Sequence, residues 1–523
     1  MIDAATRIRH TRVSSNMAPG ALTRRNTPRM NTPVRIAVVA ATVALAYPAS
    51  AWYLGQRVET ALNEQYAQLA DLPYLRVVER NYDRGVFGAT ETVTVEFADP
   101  RPATAEGEQG AAAQPLRLTV LTRIKHGPLP GFSTLAAAVA DSELVLDEAA
   151  RKEIATVLGD RKPVELHTVY RFDGGGTGTL TSPAFATTLP ANGDGSASRV
   201  SWDGVKLDLD FSAGLKQYSL QGNAPKLEIE DDSMRLVLAG LALEGKQQRV
   251  FDDDALLYAG TQKLSAAELS FQPKAGADEA SMPVLLQQLA YDIEAPVNGE
   301  FLDIVARIGA AVVKVGDQDY GPAHYDLSLK HLHARTTAKL YRELMKVSGD
   351  PTLASTGDAA GAALSALSGP AMELLSHSPE ISLDRISFNS PHGEARVAAR
   401  IKLADIKPED YSNAFALIGK VDASGEAALP LGLLTAWQGD GEVGARKAAR
   451  FNQQLAGLTA QGYVTQEAGL VKSALVFRQG QLTINGKPFN PLALGELAGG
   501  GEHEHDHDMT EEDVEMLDEM EAE

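Results

Sequence analysis

The chain has no cysteine among its 523 residues. Disulfide staples, cysteine nucleophiles and thiolate metal sites are therefore excluded. Aromatic residues make up only 6%, and tryptophan occurs three times. Lysine and arginine number 48 against 69 acidic residues, giving a net charge of −21. Such a chain lacks the basic face that nucleic acid demands, so no nucleic-acid partner is expected. There is no Gly-x-Ser-x-Gly elbow, and Asp173-Gly174-Gly175-Gly176 lacks the Lys-Ser/Thr of a phosphate loop. Regular βαβ alternation is missing, which argues against a doubly wound sheet. No fixed-period repeat is visible. Finally, no Asp or Glu lies between Ala4 and Val58.

What is present starts with Val34–Gly55, VRIAVVAATVALAYPASAWYLG. Its core, Ile36–Leu54, is uncharged over 19 residues, close to the roughly 20 that a spanning helix needs. Arg24, Arg25, Arg29 and Arg35 precede it, which puts the N-terminus in the cytoplasm and the body outside. Trp52 and Tyr53 stand at the far end, where amphipathic rings favour the interface. Two readings compete. Ala49-Ser50-Ala51 with Pro48 spells a signal-peptide cleavage site. The length of the stretch and the Trp-Tyr pair favour an uncleaved anchor over residues 34–55, which we prefer. Residues 1–33 have no apolar period and read as a disordered cytoplasmic extension or as a misassigned start, since Met30 opens a compact signal segment by itself.

The body reads as mainly β (α+β): long antiparallel sheets with a few helices, preceded by the transmembrane helix. A short helix is expected over Thr60–Asp71. Leu116–Lys125 then alternates cleanly, with Leu116, Leu118, Val120, Thr122 and Ile124 on one face, implying a sheet with one wet face. Leu135–Val139 and Leu146–Leu158 read as helical patches. Strands are expected at 197–211, 215–221, 226–230, 234–244, 257–262, 268–271, 284–293, 302–315 and 323–333. Helices are expected at 337–347, 359–376 and 444–461, and a hairpin across Ser390-Pro391-His392-Gly393. The chain thus divides into a β-rich region, 56–333, an α+β region, 334–497, and a disordered His/acidic tail, 498–523.

Four segments are candidate sites. Tyr82-x-Arg84-Gly85-x-Phe87 sits between two strands. Arg84 there offers a bidentate donor to a carboxylate or phosphate. The structural reading, which we prefer, is a bend, with Gly85 supplying an awkward backbone conformation and Tyr82 and Phe87 packing beneath it. His126-Gly127-Pro128 has no Asp, Glu or second His at metal spacing, so it reads as a strand-ending turn. His331 and His333 lie two apart on one strand face, without a third ligand in view. The tail Glu502–Asp508 carries His503, His505 and His507 among carboxylates, a set able to hold metal ions weakly. His503-Glu504-x-x-His507 spells the zinc-protease string, but it follows Gly499-Gly500-Gly501 and has no apolar face, so the match reads as chance. Of the 21 net negative charges, 12 sit in Glu502–Glu523.

Several of these pieces together resemble the bacterial YdgA-like family of envelope proteins of unknown function. They are Ala51-Trp52-Tyr53-Leu54-Gly55 after the anchor, Asn81 to Phe87, His126-Gly127-Pro128-Leu129-Pro130, and Gly480-Gln481-Leu482-Thr483-Ile484-Asn485-Gly486-Lys487. The resemblance implies attachment to the inner membrane with the body in the periplasm, and it brings no catalytic residues. The expected function is a non-enzymatic scaffold or binding protein of the cell envelope, without cofactor. The expected partners are the inner membrane, an envelope protein or lipid, and a second copy of the chain. Two rivals stand beside it: lipid or apolar-ligand transfer along a sheet groove, and a hydrolase with an unfamiliar site.

Overall fold

The computed structural model describes residues 32–490 except 70–74, 98–115, 191–195, 275–280, 349–358, 405, 408, 411–412 and 437–440. The fold is mainly β, one large antiparallel sheet with a few helices. Helix α1 runs over Thr32–Leu69 with Pro48 inside it. It is one helix where the sequence suggested an anchor and a separate short helix. Among the described residues, no helix is long and apolar enough to cross a membrane. Side chains of residues 32–45, which carry more than half of Ile36–Leu54, lie outside the described ones.

The sheet opens with β1 (Leu75–Arg84), β2 (Gly88–Phe97), β3 (Leu116–His126), β4 (Ala138–Val145), β5 (Glu165–Tyr170) and β6 (Gly176–Ser182). Helix α2 (Glu148–Leu158) lies between β4 and β5, capped by the Asp147 carboxylate accepting from Ala150 N at 2.8 Å. The small pair β7 (Phe185–Leu189) and β8 (Ser198–Trp202) stands to one side. The middle is built from β9 (Val205–Phe211), β10 (Gln217–Glu230), β11 (Met234–Phe251), β12 (Asp254–Pro273) and β13 (Val284–Ala295). Then come β14 (Val297–Asn298), β15 (Phe301–Ala310), β16 (Val312–Val315), β17 (Gln318–Asp319) and β18 (Ala323–His333). Helix α3 (Ala334–Ser348) and the helix Ala359–Leu375 lead into β19 (Glu380–Ser390), β20 (Gly393–Leu403) and β21 (Val421–Pro430). The sheet closes with β22 (Thr465–Glu467), β23 (Leu470–Arg478), β24 (Gln481–Ile484) and β25 (Lys487–Pro488).

Every pairing among the described residues is antiparallel. The main line runs β1 to β6, then β9 to β13, β15, β18 to β21, β23 and β24. At about 4.8 Å per strand that line is about 80 Å wide. Tight turns close the hairpins. Gln479-Gly480 and Asn485-Gly486 hold positive φ at both central positions, the geometry a two-residue turn between twisted strands requires. The sheet crosses residue 333 without a break, because β18 pairs with β15 on one side and β19 on the other.

Two segments correct the sequence reading. Leu135–Val139 is not helical; Ala138 begins β4, paired with His126 and Tyr170. Residues 302–315 divide into β15 and β16, which pair with different parts of β13.

Candidate functional site

The sequence motifs converge on one place, the seat of α1 against β1–β4. Ala51, Gly55, Val58 and Leu62 fall at i, i+4, i+7 and i+11, so they share one stripe of the helix. All four are buried, Ala51 completely. Val58 and Leu62 pack with Ala89, Ile124, Ala138 and Ala140, flanked by Tyr66, Tyr82 and Tyr170. The alanines of β4 let the helix approach closely.

His126, the last residue of β3, is 1% exposed and wedges against the helix backbone. Its Nδ1 lies 2.9 Å from the Ala51 carbonyl. A carbonyl only accepts, so neutral His126 carries its proton on Nδ1. Burial pushes its pKa below the usual histidine value, ahead of the pull from Ala51. A Cβ on Gly55 would stand 2.5 Å from the ring, and a Cβ on Gly127 3.2 Å from Ala51 Cβ. Gly127 also has φ +134. Both glycines are thus needed for approach.

The Tyr82–Phe87 motif works beside it. Arg84 sits 5.6 Å over the Trp52 ring and 3.0 Å from Glu59. Phe87 stacks on Tyr47 at 6.0 Å, and Tyr47 stacks on Phe132 at 5.6 Å. Tyr47 donates to Leu129 O at 2.7 Å. Deeper in the seat, Glu91 is 2% exposed and accepts from Arg80 Nε at 2.7 Å. Arg80 lies 4.4 Å over the Tyr66 ring and donates to Asn63 at 2.6 Å. Burial, with Glu59 and then Glu91 adding, pushes Tyr82 up to about 12. Burial and Glu91 push Tyr170 to about 12 as well, and Tyr66 still higher. Three neutral phenols therefore surround a buried carboxylate–guanidinium pair. Tyr82, Arg84, Phe87, His126 and Gly127 all meet α1, with Gly85 and Pro128 in the turns beside them.

The depressed histidine fixes a pH dependence. The unfolded chain binds the His126 proton more tightly, so this stability is present above the unfolded pKa of about 6.5 and is lost as pH falls below it. The thermal midpoint of the purified chain is expected to drop between about pH 7 and 5, and His126→Gln to remove that part of the drop. An unchanged slope in the variant would show that His126 is not its source.

The histidine pair is placed differently from the sequence expectation. His331 has φ +59 and stacks on Phe301 at 3.8 Å, with Nδ1 2.8 Å from His377 O. His333 stacks on His377 at 4.0 Å, with Nδ1 2.8 Å from the Thr336 hydroxyl. The histidines cluster through stacking, and among the described residues no group of His, Asp and Glu is arranged to hold a metal. His503, His505 and His507 lie outside the described residues.

The second feature is the sheet surface itself. Directly paired residues share a face, so register gives its chemistry. One row reads Ile124, Ala140, Thr168, Gly178, Leu209, Leu220, Gly245, Gln262, Ile293, Ala306, Leu327, Leu383. The next row on that face reads Leu166, Leu180, Leu207, Gly222, Leu243, Leu264, Tyr291, Ile308, Tyr325, Ile386, Val397. Neither contains a charge. The opposite face reads Arg123, Asp141, His167, Thr179, Asp208, Gln221, Glu244, Lys263, Asp292, Arg307, Asp326, Arg385. A hollow of about 580 Å³ on this charged face is lined by Thr179, Asp208, Glu244 and Lys263 among others. Asp208 there is answered by Lys206 and Thr179 at 2.6 and 2.8 Å and Asp210 by Arg171 at 2.8 Å, so the hollow reads as a solvated surface.

The uncharged face starts under α1, at Ile124 and Ala140, and continues past it. On β12, β15 and β18 it is open: Leu264, Ile308 and Tyr325 are 38%, 44% and 43% exposed. Sequence alternation foretold one apolar face per strand. It did not show that the faces join into one surface, because that depends on register.

Fold and seat together define a class: a single broad antiparallel sheet with a long N-terminal helix docked at its first strands. The chain belongs to the family described as "Bacterial protein of unknown function (DUF945)", whose model matches residues 30–491. No curated protein and no solved structure matches it.

Proposed function

We propose that the protein is a membrane-tethered binding protein of the bacterial envelope, of the YdgA-like kind, and that its uncharged sheet face takes up elongated apolar ligands such as lipid acyl chains. Helix α1 is retained as the anchor, and the body stands on the periplasmic side. Retention is supported by Ala51: the residue before the expected cleavage point is fully buried, with its carbonyl facing His126. Cleavage there would remove Tyr47 and the Ala51 contacts from the seat. N-terminal sequencing of the mature chain is expected to find a start upstream of Tyr47.

The observation that carries the ligand reading is the pair of uncharged rows crossing the sheet beside charged rows on the reverse. Monomeric proteins rarely leave large contiguous apolar surface in water. Because the surface begins beneath α1, an acyl chain leaving the membrane meets apolar side chains from the start. A lipid extract of the chain purified in a lipid-free detergent is expected to contain bound phospholipid. Leu243→Asp combined with Leu264→Asp is expected to lower that content by about tenfold or more, since two charges on an apolar contact line each cost more than 1.4 kcal/mol when desolvated. The midpoint of unfolding is expected to hold, because both side chains are partly exposed. A lipid-free extract from folded protein overturns the reading and leaves a protein partner for the same face.

A further inference from the structure

We infer that the tip of the sheet beside α1 is embedded in the leaflet on the body's side, so that the membrane holds loops as well as a helix. The inference rests on reading α1 as an anchor. Leu129 and Phe132, in the loop after β3, meet Tyr47, seven residues before Leu54. The uncharged helix ahead of Tyr47 is only Ile36–Ala46, or about 16 Å at 1.5 Å per residue. A hydrocarbon core of about 30 Å needs nearly twice that. The whole stretch Ile36–Leu54 supplies about 28 Å. A docked α1 therefore spans only if the body enters the bilayer as far as the level of Trp52 and Tyr53, about 10 Å beyond Tyr47.

The tip has the composition this demands. The β1–β2 turn, Gly85-Val86-Phe87-Gly88, has no charge, and neither does the loop His126 to Ala137. Phe132 is 82% exposed, Leu135 74% and Phe87 52%. Such side chains in water gain nothing, and Phe132 is held out despite a left-handed φ of 56°. Backbone donors inside lipid must be satisfied within the protein. Part of the tip's backbone meets this: Gly85 N donates to Gly88 O at 2.8 Å, Gly127 N to Ala137 O at 3.1 Å and Phe132 N to Leu129 O at 3.0 Å, while Val86, Phe87 and Leu135 leave their N–H groups to the headgroup level. Pro128 and Pro130 have no N–H to satisfy. The cations stay at the rim. Arg84 is paired with Glu59, and Lys125 is an exposed side chain on a long stem able to reach the headgroups.

The absence of cysteine makes single labels clean. The full chain is reconstituted in phosphatidylethanolamine–phosphatidylglycerol vesicles containing a nitroxide-bearing phospholipid. An environment-sensitive dye is placed at Phe132→Cys, Leu135→Cys, Val43→Cys in the helix, or Phe415→Cys. Phe415 is 85% exposed and lies between β20 and β21, far along the sheet. The expected result is that labels at 132 and 135 are blue-shifted and lose most of their emission to the nitroxide, as the label at 43 does, while the label at 415 keeps its emission. If 43 is quenched but 132 and 135 behave like 415, the embedded tip is refuted and the anchor stands. If 43 is also unquenched, the anchor itself falls, and the tip with it.

Discussion

Glu91→Ala is expected to lower the stability of the chain by about 3–5 kcal/mol, the usual loss when one partner of a buried ion pair is removed. The carboxylate is 2% exposed and takes the Arg80 Nε at 2.7 Å. Without it, a guanidinium pressed against the Tyr66 ring and only 21% exposed is left without its carboxylate. Asn63 alone remains to receive it. Because Asn63 and Tyr66 belong to α1 and Arg80 to β1, the loss falls on the joint between helix and sheet. Urea unfolding of the purified chain reads it as a lower midpoint at unchanged slope. The double variant Arg80→Leu, Glu91→Leu is expected to recover most of the loss, since a matched apolar pair of similar volume is commonly as stable as the ion pair. A wild-type midpoint for Glu91→Ala would mean the pair is solvated and the polar lock on α1 is not one.

Much of this architecture is legible in the sequence, and the failures have physical causes. Period-two alternation identifies strands wherever one face is wet, as at Leu116–Lys125. It misjudges their length. Residues 234–244, 257–262 and 268–271 read as three short strands, yet they are parts of β11 and β12, 18 and 20 residues long. The pairing is irregular between Ala239–Glu268 and Ala242–Ser265, where Gly240 has φ +63 and abuts Ala267. The register is the same on both sides of that gap, so the two strands continue through it. Residues 263–267 are missed because the Leu264-Ser265-Ala266-Ala267 run breaks the apolar–polar alternation. At 135–139 the error has another source. Alanine favours helix in isolation, but Ala136 to Ala140 are all buried, and Ala138 and Ala140 are small because α1 lies on them. Packing overrode propensity.

The seat was half legible. His126-Gly127-Pro128 read as a strand end and Tyr82 as packed, as they are, but Phe87, expected beneath the bend, is 52% exposed, and Gly85 does not take the positive φ that an awkward backbone would need. Their common partner was not legible, because Ala51 and His126 are 75 positions apart and no local pattern links them. The clue available was Ala51-x-x-x-Gly55, small residues one helical turn apart next to larger apolar ones, which marks a helix face meant for close approach.

That clue supports the most discriminating substitution. On an exposed helix, Gly→Ala gains about 1 kcal/mol. At Gly55 the sign is expected to reverse, to a loss of about 1–3 kcal/mol, the range for overpacking a filled core. The new methyl would stand 2.5 Å from His126 Cε1 and 2.7 Å from Nε2. The ring has little freedom to withdraw, since its Nδ1 is tied to Ala51 and its strand neighbours on β4 are fully paired. Gly55→Leu adds three more carbons in the same direction and is expected to lift α1 from the sheet, visible as faster amide hydrogen exchange at Val58 and Leu62. The control is the same change where the ring is gone. In a His126→Ala background, Gly55→Ala is expected to regain the ordinary helix preference and stabilise the chain by about 1 kcal/mol. A sign that flips between the two backgrounds can only come from contact between residue 55 and the imidazole. Equal effects in both would dissolve the contact on which the seat of α1 depends.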